Sequence, residues 1–594
     1  MKPSAPFLLT FQIAALLLGA LGVYGLALFH IRTGFDLSDS SLYLLLVTQP
    51  ENIGFSLSHF GVVWNALIGD HGVIANRVIN IALLCAAALL LTFTYWFTSQ
   101  GRIARMDLFV FSILAFLGCS GAIAVFILDP SYNSLTQIFV ITGICSVALV
   151  ADLQRRHRFW RADALSFVAG FCVAALVVTK ASTAVMLGLY LLIAAVLLAY
   201  KARSPRVVMT GLLGVVAFPG VLELTTGLTG HVIDSFTEAL QAHATASSNI
   251  SSQVGLGGIQ RILSLITGVD ALFPAGWYVV LFAVFFLPWR AILRKDHARQ
   301  GTSWPVILPV ALFTLGTVAL AIAPSGKGAL INIMTIAFLI GYLLVAMFWR
   351  PKTVNLPQNL FVTGMLLAPF LTVFGTVNDY KTNIFLFGAA FSLLPAWLVL
   401  SHATSPGRNR ARHLLLSCGL LAAVVSAVNA YHYPYRLTGT LAQARVPVDF
   451  PDGSTLRATP AVADLLSGLQ ANAAGTTSPA VFDLTGELPI AAYALQGRVP
   501  KVAWLLSNFS QEFSLAVFSS LPPEDITTGW ILLPLNEKKV IEPTRHAVSF
   551  FKILDDMGIA FDTHFYPAAT LRTPILWQEG EDLDFVLFKP VSQR

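Results

Sequence analysis

Apolar runs of about twenty residues recur along this chain from Leu8 to about Ala430, and they constrain its fold more than any other feature. A bilayer core about 30 Å thick is crossed by roughly 20 apolar residues in a helix. Hydrophobic residues make up 56% of the 594 positions and charged residues only 11%, with a mean hydropathy of +0.72. This composition excludes a wholly water-soluble protein. The sequence therefore predicts a polytopic α-helical membrane protein.

The runs divide into about thirteen expected transmembrane helices, an odd number that puts the two termini on opposite sides of the membrane. Their predicted positions are 8–30, 76–98, 107–127, 136–153, 164–179, 182–200, 207–226, 274–290, 305–323, 328–348, 359–377, 384–400 and 413–430. Beyond residue 430, strand-like segments alternate with helical ones, which is typical of an α/β domain. We therefore expect a transmembrane domain over 1–430 and a small soluble domain over 431–594.

The distribution of Lys and Arg predicts the orientation, because positive charge is retained in the cytoplasm. Alternate connections carry nineteen of these residues, and the opposite side of the membrane part carries six. The N-terminus is thus expected in the cytoplasm and the C-terminal domain outside, in a multi-pass protein of the cytoplasmic membrane. The net charge of +6 is on this interpretation a topology signal, and it does not indicate nucleic-acid binding.

Two outer connections are long. The first, residues 31–75, is predicted to contain a helix in the membrane interface. Its apolar stripe at helical spacing is formed by Phe60, Val63, Trp64, Leu67 and Ile68. The second, about 227–273, is rich in small polar residues and is expected to be a mobile loop. A long outer loop is commonly a lid or a binding loop.

Two carboxylates, Asp36 and Asp39, lie at the start of the first outer loop, just before Ser40 and Tyr43. An ionisable group at the membrane boundary loses hydration and tends to persist where it is paired or used. Asp39 is therefore a candidate catalytic residue, although its place before an apolar helix also suits an N-cap. Asp36 is equally compatible with either role.

The second outer connection contains Asp129, Tyr132 and Asn133. A carboxylate, a phenol and an amide together suit a substrate-binding site. The same sequence is also typical of a plain Asp-Pro turn between two helices.

Three lysines, Lys180, Lys327 and Lys381, lie in short outer connections on the side depleted in positive charge. Snorkelling from a helix end explains any one of them, and Lys381 is placed to pair with Asp379. Three together indicate an anionic ligand at membrane depth, such as a lipid phosphate, which lysine binds as a point charge.

The first outer loop also contains His59, Asp70 and His71. Their spacing matches no defined metal site. We expect them to be surface residues of the interfacial helix.

This pattern resembles the glycosyltransferase C superfamily, which includes the aminoarabinose transferase, the protein mannosyltransferases and the oligosaccharyltransferase catalytic subunits. The resemblance lies in the first span, the acidic pair ahead of Tyr43, the interfacial helices, the thirteen spans and the outer C-terminal domain. Many relatives have Asp-Glu where this chain has Asp39-Ser40. Either Asp39 acts alone, or Asp36 or Asp129 supplies the second carboxylate.

The resemblance implies a polyprenyl-phosphate-linked sugar as donor, inversion at the anomeric carbon and a glycan, lipid or protein of the cell envelope as acceptor. Asp39 would be the general base, the lysines would bind the donor phosphate, and Ser40, Tyr43, Asp129, Tyr132 and Asn133 would contact substrate. Some relatives use a divalent metal. Because Ser40 replaces the second acid, we expect no cofactor here.

Two other functions remain open at this point. One is a transporter or flippase of a lipid-linked saccharide, and the other is a polymerase or ligase of surface polysaccharides. The odd number of spans and the acidic residues in an outer loop favour the transferase over the transporter, as does the absence of an internal repeat.

Overall fold

The fold is that of a computed structural model, and thirteen stretches of the chain are described. These are residues 5–100, 103–125, 127–245, 326–349, 354–373, 389–404, 407–434, 439–473, 478–506, 509–536, 538–541, 543–574 and 582–594.

Helices make up the N-terminal part of the described chain. They are α1 (Ala5–Phe29), α2 (Asp39–Thr48), α3 (Phe60–Leu67), α4 (Val73–Thr98), α5 (Arg105–Cys119), α6 (Gly121–Ala124), α7 (Tyr132–Arg155), α8 (Phe159–Ala202), α9 (Arg206–Thr226), α10 (Thr229–Thr245), α11 (Gly326–Phe348), α12 (Leu356–Val373), α13 (Ala389–His402) and α14 (Arg408–His432). Each predicted span that falls on described residues coincides with one or two of these helices.

Six helices in the described part are long and apolar enough to cross a membrane. They are Leu9–Phe29, Val73–Thr98, Tyr132–Arg155, Phe159–Ala202, Arg206–Thr226 and Arg408–His432. The chain is therefore an integral membrane protein. The total of thirteen spans stays a prediction, since 274–290 and 305–323 lie outside the described residues.

Helix α8 combines two predicted spans, 164–179 and 182–200, and breaks between them at Lys180. The backbone of Lys180 is extended, with φ −159° and ψ 86°. A break of this kind leaves carbonyl groups of the preceding turn without their helical donors. The Val178 carbonyl accepts from the backbone N–H of His59 at 2.9 Å, and the Thr179 carbonyl accepts from the Ser58 hydroxyl at 2.7 Å. The first outer loop thus supplies the hydrogen-bond donors that these two carbonyls lose at the break in the helix.

The predicted interfacial helix is α3, and most of its apolar stripe is buried against other helices, while Leu67 at its end is 43% exposed. Phe60, Val63 and Trp64 are fully buried, and α3 packs against α2, α8 and α9. At Gly61 a Cβ atom would lie 1.8 Å from the Leu46 carbonyl oxygen, so only glycine permits this approach of α3 to α2. The stripe is buried because the neighbouring helices offer it a closer-packed surface than the interface does.

In the C-terminal part, the described residues form six α-helices and six strands. They are β1 (Val446–Asp449), β2 (Thr455–Ala458), α15 (Pro460–Ala473), β3 (Val481–Asp483), α16 (Ile490–Ala494), α17 (Gln511–Ser519), α18 (Pro523–Thr528), β4 (Trp530–Leu535), α19 (Arg545–Asp556), α20 (Phe561–His564), β5 (Phe565–Pro574) and β6 (Asp582–Pro590).

Four strands form one sheet in the order β3-β4-β6-β5, and β1 pairs with β2. Strands β3 and β4 are parallel, and the other pairs are antiparallel. Helices α17 and α19 pack on this sheet, where Phe482 contacts Phe518 and Phe550. The predicted small α/β fold is confirmed, and we propose that this domain begins near residue 431, where α14 ends.

The first outer loop joins the membrane helices to the C-terminal part. Thr33 forms a backbone bridge with Arg457, and Ile53 forms one with Lys501. The Gln49 amide donates to the Gly497 carbonyl at 2.9 Å. The outer loop and the C-terminal domain therefore lie at the same end of the helices.

A buried ion pair fixes the base of this loop. The Arg77 side chain of α4 is 2% exposed, and it donates to both carboxylate oxygens of Asp129 at 2.7 and 3.1 Å. Two further N–H groups donate to the carbonyls of Ile31 and Gly34, each at 3.0 Å. One guanidinium thus ties the start of the first outer connection to Asp129 in the second.

Replacing Arg77 by Met is expected to destabilise the protein by roughly 3–5 kcal/mol, because the Asp129 carboxylate then remains buried without a partner. Thermal unfolding of the purified protein in detergent, followed by intrinsic fluorescence, measures this. The double variant Arg77→Met/Asp129→Leu should recover most of the loss.

The matched control is Arg206→Met, which removes the exposed pair of Arg206 with Asp163 and should cost less than about 1 kcal/mol. Equal losses for the two arginines would contradict a special role for the buried pair.

Candidate functional site

Asp36 caps the first outer-loop helix. One carboxylate oxygen accepts from the Ser38 N–H at 2.9 Å and from the Ser38 hydroxyl at 2.6 Å. The other accepts from the backbone N–H groups of Asp39 and Ser40 at 2.9 and 3.4 Å. These are the donors that a helix start leaves unpaired. The N-cap role that the sequence allowed for Asp39 is therefore performed by Asp36, and Asp36 is a poor candidate for a base.

Asp39 is half-buried in the first turn of α2. A carboxylate is stabilised there by the positive end of the helix dipole. Tyr43 lies four residues further on and so shares a face of the helix with Asp39. Ser40 is buried, and its backbone N–H is one of the donors that the Asp36 carboxylate caps.

Tyr43 brings the first and second outer connections together. Its ring meets the Tyr132 ring edge-on at 5.8 Å and the Phe60 ring at 5.6 Å. Tyr132 is placed by a capping box between Ser131 and Ser134, which makes it the first residue of α7. The half-buried Asn133 follows in the same turn.

Lys180 lies beside these aromatic residues. Its amino group lies 5.9 Å from the centre of the Tyr132 ring and donates to the carbonyl of Thr372 near the end of α12. The side chain is only 8% exposed. Snorkelling to the water is thus the wrong explanation for Lys180, which is instead held between α8, α7 and α12. We call Asp39, Tyr43, Tyr132 and Lys180 the outer cluster.

The other predicted site residues are placed differently. Asp129 is 5% exposed, and its carboxylate is occupied by Arg77, so it is a structural anchor. Lys327 lies in the first turn of α11. Lys381 and its predicted partner Asp379 lie outside the described residues.

A divalent metal finds no matching set of ligands among the residues that the structure describes. No three His, Cys, Asp or Glu side chains are grouped there to hold one. Asp36 is engaged by helix N–H groups and Asp129 by a guanidinium. We therefore derive no step through a metal.

Sequence reasoning placed His59 at the surface, which is wrong. The ring is 2% exposed, and neither of its nitrogens makes a hydrogen bond of normal geometry. The ring of His231 on α10 lies 6.3 Å away. Burial, together with the charge of His231, lowers the pKa of His59 to about 4, although the Ser56 carbonyl opposes this shift. The available signal was its position four residues before Val63, on the apolar stripe.

No family model and no curated protein matches the sequence. Among solved structures, the chain is similar to the archaeal oligosaccharyltransferase AglB from Archaeoglobus fulgidus in complex with an inhibitory peptide and a dolichol-phosphate. The identity is 11% and the TM-score 0.40, over 96% of this chain and 80% of that chain. It is also similar to the apo form of the Archaeoglobus fulgidus oligosaccharyltransferase, with 10% identity and a TM-score of 0.42, over 95% and 80% of the two chains.

Lowering the pH should destabilise the folded protein, because it protonates His59, which is buried just before α3. The folded protein resists protonation of this ring until the pH approaches 4, whereas an unfolded histidine binds a proton near pH 6.5. The stability due to the neutral ring is therefore present above pH 6.5 and is lost as the pH falls towards 4, by roughly 3 kcal/mol. Unfolding temperatures measured between pH 7 and pH 4 should fall less steeply for His59→Leu than for the wild type.

The matched control is His71→Leu, which removes an exposed histidine of the same loop. Its pH dependence should equal that of the wild type. A His59→Leu variant with the wild-type slope would contradict a buried, neutral His59.

Proposed function

We propose that this protein is an integral-membrane glycosyltransferase that moves a sugar from a polyprenyl-phosphate-linked donor to an acceptor of the cell envelope. The acceptor is a glycan, a lipid or a protein, and the reaction takes place on the outer face of the cytoplasmic membrane. The observation that carries the proposal is the outer cluster. In it the Tyr43 ring of α2 meets the Tyr132 ring of α7, which lies beside the buried amino group of Lys180, and Asp39 lies one turn before Tyr43 on α2.

Asp39 is proposed as the general base. It accepts the proton of the acceptor hydroxyl while the hydroxyl oxygen attacks the anomeric carbon of the sugar. The bond between that carbon and the donor phosphate breaks, and polyprenyl phosphate leaves with the electron pair. Attack from the face opposite the phosphate inverts the anomeric centre. With Asp36 capping the helix and Asp129 held by Arg77, Asp39 is the carboxylate that we assign to this step.

Lys180 is proposed to bind the donor phosphate. An ammonium group has three N–H donors, so it can keep its bond to the Thr372 carbonyl and still donate to a phosphate oxygen. Negative charge that develops on the leaving phosphate is stabilised more strongly at a buried cation than at an exposed one. Lys327 and Lys381 are kept as proposed further phosphate ligands.

The aromatic residues are proposed to contact the sugar. The Tyr43 and Tyr132 rings meet edge-on, the amino group of Lys180 lies beside the Tyr132 ring, and Asn133 follows Tyr132 in the first turn of α7. The connection predicted as a mobile loop over 227–273 is helical in its described part, because α10 spans Thr229–Thr245. We propose that α10 closes over the donor and excludes water. It already contacts the outer loop, where His231 donates to the Ile53 carbonyl at 2.8 Å.

The variant Asp39→Asn should lower the rate of sugar transfer by about 10² to 10⁴, because an amide does not accept the proton. The assay uses purified protein in lipid, a panel of labelled polyprenyl-phosphate hexoses and pentoses, and envelope extract as acceptor. Asp70→Asn, an exposed change in the same loop, is the control and should retain full activity.

Wild-type turnover by Asp39→Asn would remove this residue from the mechanism. If vesicles containing the wild-type protein move the saccharide across the membrane without forming a glycosidic bond, the protein is a transporter and the proposal fails.

Lys180→Met should lower the turnover number by about 10² to 10³, since it removes one electrostatic contact to the leaving group. Methionine has a similar shape, so the unfolding temperature should change little. Lys201→Met, in the last turn of α8, is the control. Steady-state kinetics with a fixed donor measure the effect, and equal activities for both variants would exclude a role for Lys180.

A further inference from the structure

A polar cavity of about 260 Å³ lies at the opposite end of the helices from the outer cluster. Helix α7 connects the two places: Tyr132 begins it, and Arg155, at its end, lines the cavity. At 1.5 Å per residue the two are separated by roughly 35 Å, about the thickness of a membrane. The cavity therefore opens on the other membrane face and is independent of the proposed transferase site.

The wall of the cavity is built from the ends of several helices. The Gln358 amide of α12 donates to the hydroxyl of Ser99, which follows α4, at 2.7 Å, and to the His402 ring of α13 at 3.3 Å. His402 in turn donates from Nδ1 to the Leu398 carbonyl at 2.9 Å. The Asn355 amide donates to the carbonyl of Thr98 at 3.0 Å. These bonds hold the polar wall in one arrangement.

The surroundings of the cavity are positively charged. Arg155 and Arg156 share Asp152, while Arg412 pairs with Asp107 at 2.7 Å and Arg408 approaches it at 3.9 Å. Four guanidinium groups thus share two carboxylates, and the cluster keeps two positive charges beyond those that its own acids neutralise. The lining residues Arg155 and Asp107 bring this cluster to the cavity.

The size and depth of the cavity indicate its ligand. A space of about 10–15 Å³ is enough for one water, so this one also admits a small charged group. It lies where membrane-spanning helices end, which is the level of lipid head groups. Basic pockets between such helices bind anionic head groups, and guanidinium suits phosphate because it donates two parallel bonds.

We propose that this cavity binds the phosphate-bearing head group of an anionic phospholipid. Arg155 supplies the charge, and Gln358, Ser99 and Asn355 supply the polar wall. The bound lipid links the ends of α4, α7, α12 and α13.

Native mass spectrometry of the full-length protein in detergent tests this, with phosphatidylglycerol and phosphatidylcholine as probes. Phosphatidylglycerol should bind at least about tenfold more tightly. Arg155→Gln should weaken its binding by about fivefold to tenfold, and Gln358→Glu, which places a negative charge in the wall, should do the same. Gln358→Glu keeps the shape of the side chain and so serves if Arg155→Gln fails to fold.

The matched control is Arg206→Gln, which also removes an arginine paired with an aspartate on this membrane face but away from the cavity. Its affinity for phosphatidylglycerol should equal that of the wild type. Equal binding of the two lipids, or equal effects of Arg155→Gln and Arg206→Gln, overturns the proposal. Binding of inorganic phosphate without a preference for the anionic lipid also overturns it.

Discussion

The break in α8 at Lys180 is the local constraint on which the outer cluster depends. A continuous helix would satisfy the carbonyls of Val178 and Thr179 internally and would remove the acceptors that the Ser58 hydroxyl and the His59 N–H now use. Because the helix breaks, Ser58 and His59 satisfy those carbonyls, and the loop is held against the membrane helices. The same break directs Lys180 between α7 and α12, where its side chain is buried beside Tyr132.

The three acidic residues Asp36, Asp39 and Asp129 differ in their hydrogen-bond partners, and this difference determines the role of each. Asp36 receives backbone N–H groups, and Asp129 receives a guanidinium; both are buried and fully engaged in holding the chain. Asp39 sits at the half-buried start of α2, where the helix dipole favours its charge but leaves it closer to solvent. A carboxylate that exchanges a proton with a substrate needs such a position more than a fully engaged one.

The C-terminal domain extends the same arrangement outwards. It contacts the first outer loop through backbone bridges at Thr33 and Ile53 and through the Asp452 carboxylate, which accepts from the N–H of Val73 at 2.7 Å. Helix α10 reaches it as well, since Glu238 pairs with Lys501 at 3.4 Å. A ligand that displaces α10 or the outer loop would therefore change the contacts of the C-terminal domain, because the domain packs against both.

The sequence alone determined that the chain spans a membrane and that an α/β domain follows the membrane helices. It also determined the positions of most of the described helices. These features follow from apolar runs and alternating patterns, which are local properties of the sequence. It also singled out Asp39, Tyr43, Tyr132 and Lys180 as candidates, although it placed them on three separate connections. Only the tertiary structure decided which of the candidates meet, that Asp36 caps α2, that Asp129 pairs with Arg77 and that His59 is buried. These outcomes depend on contacts between residues far apart in the chain, and no local pattern encodes which partner a charge will find.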